Sequence, residues 1–176
     1  MTRVALAAFA CLLLVPAVAG ASTTYQVGAS DQSIEPAAGT LMNLGGYGLG
    51  DGSLFPDAVT SRGGQDRPGA DTIQARALVV SDDAGHTVAL ASIETQGMFA
   101  AYEDGPYGLS DMAAQVAKDT HGALPADHII ITSDHTHHGP DTIGAWGGVP
   151  ASYLQYVHDQ TVKAIEDAYA SLHAWL

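Results

Sequence analysis

Cysteine is almost missing from this sequence. The one cysteine, Cys11, lies inside an apolar N-terminal stretch that we expect to be removed, so the mature chain is predicted to contain no disulfide bond. Any zinc ion would therefore have to be bound through histidine, carboxylate or tyrosine side chains.

Basic residues are also scarce. Six Lys and Arg stand against 19 Asp and Glu, which gives a formal net charge of −13. Nucleic acids and anionic membrane surfaces are bound through clusters of Lys and Arg, so this composition argues against both as partners. No run of five like charges occurs, and there is no acidic tail to interpret.

Several catalytic motifs are missing as well. The sequence has no Gly-x-Ser-x-Gly nucleophile elbow, no Gly-x-x-x-x-Gly-Lys phosphate loop and no dinucleotide fingerprint. Gly139 stands where the His-x-His-x-Asp-His pattern of metallo-β-lactamase-like enzymes requires an aspartate. The usual signals of serine hydrolases and nucleotide-binding enzymes are therefore not present.

The N-terminus has the pattern of a secretory signal. Arg3 precedes the apolar stretch Val4–Val18, and small residues at Ala17, Ala19 and Ala21 offer cleavage sites. The stretch has roughly 15 apolar residues, fewer than the about 20 that a membrane-spanning helix needs. We therefore predict that residues 1–21 form a cleaved signal peptide and that the protein is secreted, extracellular or periplasmic, without a membrane span.

Residues 22–176 are long enough for one domain with a hydrophobic core. Tyr25–Ile34 is predicted to be the first strand, and Leu41–Gly69 a long Gly-rich connection. Ile73–Ser81 and Thr87–Thr95 are rich in β-forming residues and flank the turn Asp82–His86, so they predict a hairpin with a five-residue turn.

The second half of the sequence predicts two helices around a strand. Ser110 is the predicted N-cap of a helix over about 111–120, and Gly122 its stop. The strand His128–Ser133 follows, and then a helix over about 151–173 with apolar residues three and four positions apart. This order predicts an α/β fold: a mixed β-sheet with flanking helices and a site loop at the carboxyl end of a strand.

A histidine cluster follows this last strand. His135, His137 and His138 come directly after the strand and before the break at Gly139-Pro140. Residues i and i+2 of a strand share a face, so His135 and His137 are predicted to aim two imidazoles at one point. Imidazole is a common zinc ligand, and the pattern favours a metal site over an incidental histidine cluster.

The same residues resemble a known family. His135-Thr136-His137-His138-Gly139-Pro140 is similar to the His-Thr-His-Ser-Gly-Pro motif of the neutral/alkaline non-lysosomal ceramidases. Weaker similarities occur in the family's order at Tyr25–Ala29 with Ile34–Pro36, Leu44–Gly48, Ala75–Val80, and Val88–Glu94 with Gln96–Met98. The resemblance runs from about Tyr25 to the C-terminus.

The resemblance implies zinc amidohydrolase chemistry. It places His135 as a ligand of Zn²⁺ and His137 as a catalytic residue that faces the zinc-bound water or the developing oxyanion. The implied substrate is a ceramide-like lipid, whose N-acyl amide is hydrolysed to a fatty acid and a sphingoid base. In the family the remaining ligands, a second His, a Glu and a Tyr, come further downstream, and here they are expected beyond Leu176.

The sequence also departs from the family. His138 stands where the family usually has Ser, Asp141 where it often has Gly, and family catalytic domains are much longer than this chain. These departures leave two alternatives: a truncated or degenerate module without catalysis, and a zinc hydrolase that acts on a different amide or ester. The sequence gives no indication of the oligomeric state.

Other charged residues have less specific interpretations. Glu94 is either a carboxylate near the metal or a strand-end charge in solvent. Arg76, in the middle of a β run, is predicted to form a structural ion pair, and His128 opens a strand without an assigned role. Three further histidines are predicted to lie on the surface: His86, His121 and His158.

Overall fold

The computed structural model describes residues 24–37, 41–43, 45, 59–60, 73–137 and 139–174. The predicted secretory signal, most of the predicted Gly-rich connection, and His138 lie outside the described residues.

One five-stranded mixed sheet forms the centre of the fold. The strands of the chain are β1 (Tyr25–Ser33), β2 (Leu41–Met42), β3 (Val59–Thr60), β4 (Gln74–Asp82), β5 (Thr87–Ile93), β6 (Ile129–Ser133) and β7 (His173–Ala174). The sheet has the order β6-β5-β4-β1-β7, whereas β2 and β3 pair only with each other. β5 and β6 run parallel, and the other pairs of the sheet are antiparallel. The predicted α/β class is confirmed.

The predicted hairpin is formed by β4 and β5, whose pairing runs from Ala75 opposite Ile93 to Ser81 opposite Thr87. Its turn is closed by the carboxylate of Asp82, which accepts the backbone N–H groups of Ala84 at 3.0 Å and His86 at 2.8 Å. A short polar side chain that bonds the backbone two residues on is what such a turn requires.

The helices are α1 (Leu109–Asp119) and α2 (Ala151–Ala170), and a 3₁₀ turn (Ala126–His128) precedes β6. The predicted N-cap of α1 is wrong by two residues: the helix begins after Gly108, whose N–H donates to the Asp111 carboxylate at 3.0 Å. α2 ends three residues earlier than predicted because the chain then turns into β7, where His173 pairs with Val27. No helix among the described residues is long and apolar enough to cross a membrane.

Both helices pack on one face of the sheet. Alternate residues of β4 and β5, such as Val79 and Ile93, are fully buried together with Met112 of α1 and Ile165 of α2. α2 approaches β1 so closely that a Cβ on Gly28 would lie 2.0 Å from the backbone oxygen of Ala168. A residue without a side chain is therefore required at this contact.

The opposite face of the sheet is apolar and open to solvent. Leu78, Leu90 and Ile130 lie side by side on β4, β5 and β6, and Val88 is close to them on the same face. These four side chains are 38–53% exposed. In the part of the chain that the structure describes, no element covers this surface, which we call the open face.

The predicted surface histidines include one error. His86 and His121 are exposed, as predicted, and so is His128, whose ring Nδ1 donates to the backbone oxygen of Thr87. His158 is only 6% exposed, so its predicted surface position is wrong. It lies on the side of α2 that α1 covers, with its ring 2.9 Å from the carboxylate of Asp159.

Candidate functional site

The predicted site lies where β5 and β6 end. These strands are parallel neighbours with Ile93 opposite Ser133, so the segments that follow them leave the sheet at the same edge. Backbone hydrogen bonds join the two segments: the N–H of Asp134 donates to Ile93 at 3.2 Å, and that of His135 to Thr95 at 3.1 Å. Ligand sites of open α/β sheets are typical of this position.

His135 is held in a defined orientation. Its φ of 68° is in the left-handed region, and its ring Nδ1 lies 2.7 Å from the backbone oxygen of Gln96. A carbonyl oxygen can only accept, so Nδ1 carries a proton, and the tautomer that makes this bond has its lone pair on Nε2. In metal sites, a histidine commonly donates such a hydrogen bond from the ring nitrogen that does not bind the metal, and this bond fixes the orientation of the ring. The residue is exposed, so a ligand can reach it.

His137 lies against His135. The two ring centroids are 5.0 Å apart, and the rings meet edge to face at 69°. The two rings are therefore adjacent, and their convergence on one bound group stays a prediction. Strand alternation does not explain their position, because β6 ends at Ser133 and His135 has a left-handed backbone.

Glu94 is engaged in an ion pair. One of its oxygens accepts from the Arg76 guanidinium and the other from the backbone N–H of Gln74 at 2.8 Å. The predicted structural ion pair of Arg76 is therefore confirmed. Glu94 follows β5 at the edge where the histidines lie, but both of its oxygens bind within the sheet. Glu94 is therefore not an unpaired charge in solvent, and both of its carboxylate oxygens are already engaged in hydrogen bonds.

The residues fit a metal only in part. The Nε2 lone pair of His135 suits Zn²⁺, and His137 is close enough to contact a group bound there. Catalytic zinc needs about three protein ligands. Across residues 24–37, 73–137, 139–174 and the short described stretches between them, no group of three or more His, Cys, Asp or Glu side chains could hold a metal ion.

Asp141 organises the loop after the histidines, a role that was not predicted for it. Its fully buried carboxylate accepts three backbone N–H groups, from Gly144 at 2.9 Å, Trp146 at 2.6 Å and Gly148 at 3.0 Å. An aspartate followed by several glycines is a signal for such a turn. Glycine is favoured at position 147 because its φ of 121° is a backbone conformation that other residues rarely adopt.

Thr142 links this loop to the segment that orients His135. Its hydroxyl donates to the backbone oxygen of Gly97, the neighbour of the Gln96 that holds the His135 ring. The Tyr102 hydroxyl in turn donates to the backbone oxygen of Thr142. Burial, with a smaller contribution from the Asp141 charge, raises the pKa of Tyr102 to about 12, so the phenol stays protonated and keeps this bond.

Comparison with solved structures gives a clear result. The crystal structure of neutral ceramidase from Pseudomonas aeruginosa matches with a TM-score of 0.64 and 18% identity, over 87% of this chain and 22% of that one. The chain has a ceramidase-like fold. A ceramidase complexed with C2 matches with a TM-score of 0.59 and 18% identity, over 85% of this chain and 22% of that one. No family model and no curated protein sequence matches.

The ceramidase resemblance predicted from the histidine motif is thus confirmed for the fold. This chain spans about a fifth of the length of the two ceramidases that it matches. At 18% identity the likeness concerns the fold alone, so the roles of His135 and His137 stay predictions.

Proposed function

We propose that residues 22–176 belong to the catalytic domain of a secreted, zinc-dependent hydrolase that cleaves the N-acyl amide of a ceramide-like lipid. The supporting observation is the hydrogen bond from His135 to Gln96, which leaves Nε2 ready to bind a metal at the sheet edge of a ceramidase-like fold. The substrate, the metal and the secretion are parts of this proposal.

The chain's own residues have distinct tasks in this proposal. His135 would hold Zn²⁺ through Nε2, and the Gln96 carbonyl would keep its ring in place. Zinc, when bound, acts as a Lewis acid and lowers the pKa of water. His137, beside the ring of His135, would donate a hydrogen bond to the developing oxyanion or orient the attacking water. Water adds across the C–N bond and gives a carboxylic acid and an amine.

One observation favours a second candidate, a non-catalytic module that keeps the ceramidase-like fold. Glu94, the carboxylate at the same edge, is paired with Arg76, and the described residues alone do not complete a zinc site. Such a module would bind zinc weakly and turn over no amide. A zinc hydrolase for a different amide or ester differs from the first proposal only in its substrate.

The test is zinc content by elemental analysis of the full chain, together with hydrolysis of a fluorescent N-acyl sphingoid amide. We expect zinc to bind the unmodified chain and to be lost in His135→Asn. Asparagine tolerates the left-handed backbone of His135, so this variant removes the imidazole with little strain. His121→Asn is the matched control, because His121 is exposed and also has a positive φ of 53°.

The outcomes separate the candidates. Zinc that is lost in His135→Asn and kept in His121→Asn supports the ligand assignment. Stoichiometric zinc retained in His135→Asn contradicts it. Bound zinc without turnover of any acyl amide or ester favours the non-catalytic module.

A further inference from the structure

A cavity of about 720 Å³ lies between α1 and α2. Its lining is rich in acidic side chains and poor in basic ones. The titratable side chains of the lining are Asp111, Lys118 and Asp119 on α1 and His158, Asp159, Lys163, Glu166 and Asp167 on α2. Carboxylates therefore outnumber ammonium groups in a space that two packed helices enclose.

The two helices run in the same direction. α1 leads from the end of β5 to the start of β6, and β1 is parallel to β5 because both are antiparallel to β4. α2 begins where Tyr153 donates to Ile34 at the end of β1. It ends where Ala168 lies against Gly28, near the start of that strand. The carboxyl ends of both helices, which carry the negative ends of the helix dipoles, therefore lie on the same side of the fold.

Two carboxyl groups meet at these ends. Asp119 is the last residue of α1, Glu166 lies just before the last turn of α2, and the two side chains are within hydrogen-bonding distance of each other. Within the described part of the chain, Oε1 of Glu166 is buried and accepts no hydrogen bond. Asp119 already accepts from the Gln115 side chain at 2.6 Å. Two carboxyl groups can bond to each other only if one of them carries a proton.

The surroundings of Glu166 favour its protonated form. Burial, followed by the charge and the hydrogen bond of Asp119, raises the pKa of Glu166 above 4.5, and the charge of Asp167 acts in the same direction. Lys163 opposes this shift, but its ammonium group is bonded to Asp167 at 2.6 Å. Asp167 also accepts from Gln32 of β1 at 2.9 Å. The nearby positive charge is therefore shared with a third carboxylate.

We propose that Asp119 and Glu166 share one proton in mildly acidic solution and release it towards neutral pH, so that acid strengthens the contact between α1 and α2. The buried Oε1 of Glu166 and the acidic lining of the cavity support this device. Because the folded-state pKa of Glu166 is raised, its contribution to stability is complete below pH 4.5 and is lost as the pH rises through the raised value. The device goes beyond the proposed function and involves none of the histidines at the sheet edge.

The test is urea denaturation of the full chain from about pH 4 to pH 8, in the presence of EDTA. Glu166→Gln keeps the shape of the side chain and gives Asp119 a donor that does not titrate. We expect this variant to match the unmodified chain at the acidic end and to have a higher urea midpoint at the neutral end. Glu103→Gln is the matched control, because it removes the same charge from an exposed position outside the cavity. Equal shifts in the two variants, or a Glu166→Gln shift that does not change with pH, would overturn the proposal.

A second measurement follows the proton directly. In an NMR titration, the side-chain carboxyl carbon of Glu166 should have its midpoint above pH 4.5, and this midpoint should fall in Asp119→Asn. An unchanged midpoint in Asp119→Asn would mean that the two groups do not share a proton.

A divalent cation is the alternative occupant of the carboxyl pair. Ca²⁺ added without EDTA at neutral pH should leave the urea midpoint of the unmodified chain unchanged. A midpoint that rises with Ca²⁺ in the unmodified chain, and not in Glu166→Gln, would show that a metal ion bridges the helices and would refute the proposal. Because EDTA removes zinc from the other samples, those results do not depend on the histidine site.

Discussion

The carboxylate of Asp141 and the backbone N–H of Trp146 lie 2.6 Å apart in the interior of the loop that follows the histidines. The same carboxylate also accepts from Gly144 and Gly148, so one buried side chain satisfies three backbone donors. A buried carboxylate is stable only with such partners, and the donors in turn depend on it.

We expect Asp141→Ala to lower the free energy of unfolding by about 3 kcal/mol, because three backbone donors lose a charged acceptor. Asp141→Asn should cost less, since its amide keeps one acceptor oxygen. Urea denaturation monitored by tryptophan fluorescence measures both. Asp83→Ala, in the exposed β4–β5 turn, is the control and should leave the midpoint unchanged. An unchanged midpoint for Asp141→Ala would contradict the role of the carboxylate.

Glu94→Gln is expected to leave zinc content unchanged and to lower stability by no more than about 1 kcal/mol, because its partner Arg76 is half exposed and solvent screens the pair. The Gln74 N–H retains an oxygen acceptor in this variant. Arg76→Gln and the double variant complete a thermodynamic cycle that measures the coupling. Zinc lost from Glu94→Gln alone would instead make Glu94 a ligand.

The hairpin turn contains a pH-sensitive pair. The hydrogen bond to Asp82 raises the pKa of His86 above 6.5, and the same bond lowers the pKa of Asp82 below 3.8. The His86 contribution to stability is complete below pH 6.5 and is lost as pH rises through the raised pKa. The Asp82 contribution is present above pH 3.8 and is lost as pH falls through the lowered value. NMR titration of the His86 ring should show its midpoint fall in Asp82→Asn; an unchanged midpoint would mean that the pair does not form in solution.

Leu90 and Ala91 are neighbours on β5 that face opposite ways, at 46% and 5% exposed. We expect Leu90→Thr to change stability little and to reduce binding of a hydrophobic dye, because it removes apolar surface from the open face. Ala91→Thr should lower stability by about 1–3 kcal/mol, because it adds volume and a hydroxyl group to the packed core. Dye fluorescence and urea denaturation distinguish the two effects. Equal loss of stability in both variants would mean that the open face is covered in solution.

The sequence predicts local features of this fold well. The β4–β5 hairpin follows from two β-forming runs around a short polar turn, and the start of α2 from its apolar spacing after Pro150. It predicts poorly whatever depends on packing between distant elements. His158 is buried on the side of α2 that faces α1, whereas the error at the cap of α1 is local, because Asp111 accepts the N–H of Gly108 three residues earlier.

The candidate site likewise combines features that the local sequence predicts with contacts between distant segments. The motif places His135 and His137 at the end of a strand, but the ring orientation of His135 depends on the backbone of Gln96, 39 residues earlier. The role of Asp141 could have been inferred from the glycines that follow it, yet its neighbour Asn43 lies in a distant segment. The predicted secretory signal lies outside the described residues, and both it and the proposed zinc site stay predictions.

The site's hydrogen bonds also determine when it forms during folding. The β4–β5 hairpin joins residues that are close along the chain, so it closes early and with little loss of chain entropy. The bond of His135 to Gln96 spans 39 residues, and that of Tyr153 to Ile34 spans 119. We therefore expect the bonds that orient His135 to form after the β4–β5 hairpin. In hydrogen exchange the amides at the edge with the histidines should lose protection while those of β4 and β5 are still protected.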